Sequence, residues 1–120
     1  MTWKPSAALP KGAEVAVLVG DPAKPGLLIM RLKLPPNYKI PPHTHTNDEI
    51  GTVLSGNYTR AMGETFDTNK SDKLPAGSLF SHPANHAHYS WTGDEGAILQ
   101  LQVTGPWTVT YVNPADDPRK

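Results

Sequence analysis

The chain has 120 residues, with 11 lysines and arginines against 11 aspartates and glutamates, a formal net charge of zero, and no cysteine. That length is enough to close one modest core. The balanced charge, with no basic run, argues against a nucleic-acid or anionic-membrane partner. The lack of cysteine excludes disulfides and thiolate metal sites.

The elements follow in chain order. "MTWKPSAALPK" reads as an extended arm. It carries no recognisable signal peptide, so a cytoplasmic location is expected, with an exported mature form as the alternative. "EVAVLVG" at 14–20 is the first predicted strand, and "GLLIMRLKL" at 26–34 the second, entered through the turn "GDPAKPG". Neither apolar run approaches the length of a membrane span. "EIGTVLS" at 49–55 and "NYTRAMG" at 57–63 come next, joined at Gly56. "GSLFSH", "HYSWT", "GAILQLQVT" and "WTVTYV" complete the set, and "NPADDPRK" reads as a second arm. The 13 prolines break helices and central strands alike, and no stretch repeats apolar residues at helical spacing. Short strands about ten residues apart predict an all-β sandwich or barrel. One domain is expected over 1–120, with its core at about 14–112.

All five histidines lie between 43 and 88: His43, His45, His82, His86 and His88. In an extended segment residues two apart face the same side, so His43 and His45 can offer two imidazoles to one point. Glu49 follows where a strand begins. Two imidazoles and a carboxylate suit a divalent first-row ion, with a third imidazole to come from "PANHAH" at 83–88. Taken singly, each residue also has a plainer reading, as a polar loop residue beside "PP".

"HTHTNDEIGTVLSG" is similar to the first motif of the cupin superfamily, with His43, His45, Glu49 and Gly56 at the matching positions. "GSLFSHPANHAHYSWT" resembles the second motif through Gly77, Pro83, Asn85, His88 and Thr92. Asn85 stands where glycine is usual, and it tolerates the left-handed conformation better than most residues. Thr92 stands where asparagine is usual, at what reads as a strand end.

The resemblance implies a double-stranded β-helix, the jelly-roll cupin barrel. It implies one divalent transition metal, Fe(II) favoured over Mn, Ni, Co or Zn, held by His43, His45, Glu49 and His88. A small oxygen-rich substrate would bind at the ion, with dioxygenase-type chemistry first and isomerase, lyase or non-catalytic binding as alternatives. Glu49 and His86 are the candidate acid–base residues, although His86 also fits an exposed turn. A homodimer is expected, with no nucleic acid and no membrane as partner.

Strand parity adds further expectations. Ser90 and Thr92 should point inward with His88, and Tyr89 and Trp91 outward. His82 shares a face with Phe80 and is expected to line the pocket or its rim, outside the ligand set. Gln100 and Gln102 face either the interior or solvent, Arg31 is expected to be paired or solvated, and Met62 reads as core filler.

Overall fold

The computed structural model describes all 120 residues. Nine strands form: β1 (Lys4–Pro5), β2 (Glu14–Val19), β3 (Gly26–Leu34), β4 (Lys39–Thr44), β5 (Glu49–Met62), β6 (Asp72–Pro75), β7 (Leu79–His82), β8 (His88–Gly105) and β9 (Thr110–Tyr111). The only helix is a single 3-10 turn, Pro114–Asp116, so none is long and apolar enough to cross a membrane.

Two long strands build the barrel. β5 and β8 pair antiparallel from Glu49↔Val103 to Met62↔His88, and each bends midway so that its halves lie in different sheets. The first sheet runs β1-β2-β3, then β8 at 97–105, β5 at 49–56, and β7. The second runs β9-β4, then β8 at 88–92, β5 at 57–62, and β6. All pairings are antiparallel. This is a jelly roll, and the two runs predicted on either side of Gly56 are one strand.

The bend has a visible cause. The β5–β8 register shifts between Val53 and Ser55 and again between Gly56 and Tyr58. Gly56 sits there at φ 86°, where a Cβ would lie 2.1 Å from the carbonyl oxygen of Gly96. Only glycine permits this crossing of two backbones.

Strand alternation sends Leu28, Met30, Leu32 and Leu34 of β3 inward, against Val53, Phe80, Leu99, Leu101 and Val103. Ser90 and Thr92 are buried with them. Tyr89 and Trp91 face the other way, where Phe66 covers both at ring separations of 4.8 and 5.4 Å.

Three expectations need correction. Thr92 is not at a strand end but inside β8, where its hydroxyl accepts from Tyr38 N (2.9 Å) and donates to Pro35 O (2.7 Å). Met62 is not core filler but 40% exposed, at the last position of β5 opposite His88. β4 holds Pro41 and Pro42, which hid it. They fall in the gap of its register with β8, between Ile40 and His43, where no ladder donor is required. Gln100 and Gln102 take the outward side, with Arg31 Nε donating to Gln100 at 2.9 Å.

Both arms lie on the barrel. Leu9 is 2% exposed, and Tyr111 donates to Ala8 O at 2.6 Å. Arg119 donates to Val109 O at 2.6 Å.

Candidate metal centre

At one end of the barrel the two sheets face each other with paired polar side chains. His43 and His88 are direct cross-strand partners on β4 and β8. Glu49 and His82 are direct partners on β5 and β7. His45 lies just past the end of β4, and its loop is fixed from both sides. Asn85 N donates to His45 O at 2.8 Å, and Ala84 N donates to Asp48 at 2.7 Å. Asn85 adopts φ 63°, so asparagine does hold the left-handed turn where glycine is usual.

The five side chains are 1–4% exposed. His43, His45 and His88 offer ligand atoms within 4.8 Å of one another, and so do Glu49, His82 and His88. The His43 ring lies 4.9 Å from that of His45 and 4.3 Å from that of His88. The structure therefore brings together all four residues expected as ligands, and adds His82. It does not bring in the His86 ring, which is exposed on the turn before β8. His86 reaches the cluster only through its carbonyl, which accepts from His88 Nδ1 at 3.2 Å.

The hydrogen bonds settle the tautomers. His43 Nδ1 is 2.8 Å from Pro41 O, and His45 Nδ1 is 2.6 Å from Thr108 O. A carbonyl can only accept, so in His43, His45 and His88 Nδ1 carries the hydrogen. In the neutral ring Nε2 is then a lone pair. This is how imidazole is held when it ligates a metal.

Glu49 is gripped at both oxygens. His82 Nδ1 donates to Oε1 at 2.9 Å, and the Trp107 indole N–H donates to Oε2 at 3.0 Å. Burial alone would raise its pKa. The neighbouring His45 and the bond from His82 outweigh that and hold the carboxyl well below its usual range. Burial, reinforced by neighbouring histidines, lowers His43 to about 4 and His88 to about 2. The site thus holds His43 and His88 as neutral rings near an ionised carboxylate.

A divalent ion fits this arrangement. His45 Nε2 lies 3.5 Å from Glu49 Oε2 and has no hydrogen-bond partner; with the ring neutral and Nδ1 bonded to Thr108 O, that nitrogen is a lone pair facing a carboxylate oxygen. Two buried acceptors facing each other are unfavourable unless a cation sits between them. The nitrogen and oxygen donor set is one that first-row divalent ions take.

Sequence reasoning missed two residues here. Trp107 lies in neither motif. It stacks on His45 at 5.7 Å as well as bonding Glu49, contacts 62 and 58 positions away that no local pattern displays. His82 was expected near the pocket from its shared face with Phe80. Its place beside Glu49 follows from the β5–β7 register.

No family model matches the chain. Solved structures match its fold across most of its length. KdgF from Halomonas sp. is 19% identical, with 88% of this chain and 87% of that one covered at a TM-score of 0.66. An RmlC-like cupin from Shewanella frigidimarina is 17% identical, with 78% and 76% covered at 0.64. A recombinant oxalate oxidase in complex with glycolate is 22% identical, with 89% and 58% covered at 0.66. Sheet order, the glycine-permitted bend and these likenesses agree: the chain folds as a small cupin-type jelly-roll domain.

Proposed function

We propose that this protein binds one divalent transition metal through His43, His45, His88 and Glu49. We further propose that it acts there on a small oxygen-rich molecule, as a metal-dependent enzyme of dioxygenase type with Fe(II). The observation that carries the metal reading is the set of three Nδ1–H bonds to backbone carbonyls, which leaves three Nε2 lone pairs for one ion. When bound, such an ion supplies Lewis-acid polarisation of a substrate oxygen and, if redox-active, electron transfer toward dioxygen.

The chain's own residues define the rest. Pro41, Thr108 and His86 orient the three rings through their carbonyls. Trp107 and His82 fix the Glu49 carboxylate and keep it ionised, which suits a ligand and makes Glu49 a weak base. His86 acts through its carbonyl, and its ring is exposed rather than buried with the cluster. Among proteins of this fold, the oxalate oxidase was solved with glycolate, a small oxygen-rich acid, which supports the substrate class.

A second reading has its own observation. With all five side chains at most 4% exposed, the centre is closed in this conformation, as a binding or stabilising ion would be. Anaerobic loading with Fe(II), followed by oxygen-uptake measurements with diketones, catechols and hydroxy acids, separates the two. Uptake with one class, lost in His88→Ala, is the expected result. Iron that stays bound with no uptake from any class would overturn the enzyme reading and leave the binding one.

A further inference from the structure

The outward side of the second sheet carries a cavity of about 580 Å³, within the range of roughly 300–1,000 Å³ that small-molecule sites occupy. It is separate from the metal centre. His88, Ser90 and Thr92 take the inner side of β8, so Tyr89, Trp91 and Gly93 take the outer. Thr59 of β5 pairs with Trp91 on one side and with Lys73 of β6 on the other, so the three side chains form one row across the sheet. Asn57, Pro75 and Gly93 bound the cavity beside that row.

The local sequence leaves this space open. Phe66 and Tyr89 pack on one side of Trp91, at ring separations of 5.4 and 6.2 Å, but the next outward position on its other side is Gly93. A Cβ there would lie 3.0 Å from Asn57 Oδ1, so a larger residue would push that amide aside. The amide is oriented. The Glu95 backbone N–H donates to Asn57 Oδ1 at 3.3 Å, which leaves the NH2 end as a donor.

The chemistry of the lining is selective. Lys73 is its one charged group, and it forms no ion pair. Asp72, its neighbour in sequence, turns to the opposite side of β6 and lies 3.5 Å from Arg60. Thr59 forms the floor; it is 9% exposed, and its hydroxyl makes no hydrogen bond within the chain. Two strand spacings, about 10 Å between backbones, separate Trp91 from Lys73, room for a six-membered ring and one substituent. A flat indole facing a cation, with amide and hydroxyl donors between them and no acid, complements a ring that carries an anion.

We infer that this cavity binds a small ring compound bearing a carboxylate, with the ring against Trp91 and the carboxylate toward Lys73. The inference does not use the metal centre and stands or falls apart from it.

Two-dimensional NMR of full-length, tag-free, isotope-labelled protein, titrated with benzoate and with cyclohexanecarboxylate, tests this. Benzamide keeps the shape of benzoate without its charge and is the control. Saturable shifts at the Trp91 indole N–H and at the Thr59 and Gly93 amides are expected with at least one acid, and the better acid shows whether an aromatic or an aliphatic ring is preferred. They should be the same before and after chelator treatment, because no lining residue belongs to the metal cluster. Benzamide should bind about tenfold more weakly than benzoate, and Lys73→Gln, on an exposed edge strand, should abolish that difference while the rest of the spectrum stays in place. No saturable shift with either acid, or shifts confined to His43, His45, Glu49, His82 and His88, would overturn the site. Benzamide binding as well as benzoate to the wild type would overturn the carboxylate as the recognised group.

Discussion

At the scale of single residues, the site is a problem of buried protons. His43 and His88 bind a proton less readily in the folded chain than at their ordinary value of 6.5, chiefly because burial penalises the charged ring. Between pH 6.5 and about 4 the unfolded chain protonates both rings while the folded chain keeps them neutral. The unfolded state binds more protons, so stability falls as pH falls through this window. Glu49 has the same sign at lower pH, since its folded carboxyl is also depressed and its stabilisation is lost on acidification. Urea unfolding of metal-free protein from pH 7.5 to 5 should show stability falling by up to about 1.4 kcal/mol per pH unit per ring. A flat or rising profile would contradict neutral buried histidines.

At the scale of elements, the cluster depends on how strands are held in register. β4 must lie beside β8 for His43 to meet His88, and its start is tied down by Thr92. That hydroxyl satisfies Tyr38 N on one side and Pro35 O on the other. Thr92→Val keeps the shape and strands both groups. It should lower stability by about 1–3 kcal/mol in chemical denaturation, and an unchanged midpoint would show that water replaces the hydroxyl.

The same elements show what the sequence displayed and what it hid. β3 and the two halves of β8 were legible because apolar and polar residues alternate in "LLIMRLKL" and "AILQLQVT". The left-handed turn at Asn85 was legible from residue type. β4 was not, because prolines argue against a strand, and the register gap that accommodates them is a tertiary feature. β6 was not, because "DKLP" is a short edge strand with no apolar alternation.

At the scale of the whole molecule, the fold and four of the five clustered residues could be read from two motifs some forty positions apart. The rest depended on closure of the barrel. Glu49 meets His82 because β5 pairs β7, and Trp107 reaches Glu49 because the segment after β8 returns over the same end. The inward or outward choice for Gln100 and Gln102 likewise waited on which face of β8 met the core. Burying four imidazoles and a carboxylate at one end of a small barrel is costly for the metal-free chain. A bound ion should repay this by mass action, adding about 2.7 kcal/mol when its concentration is a hundred times its dissociation constant.

The most direct test is metal analysis of tag-free protein, wild type and His88→Ala, after dialysis against a low concentration of divalent ions. Near one ion per chain in the wild type, with its removal by chelator lowering the melting temperature, and far less in the variant is the predicted result. A wild-type chain that carries no ion, takes up none from Fe(II), Mn(II), Ni(II), Co(II) or Zn(II), and melts unchanged with chelator would contradict it.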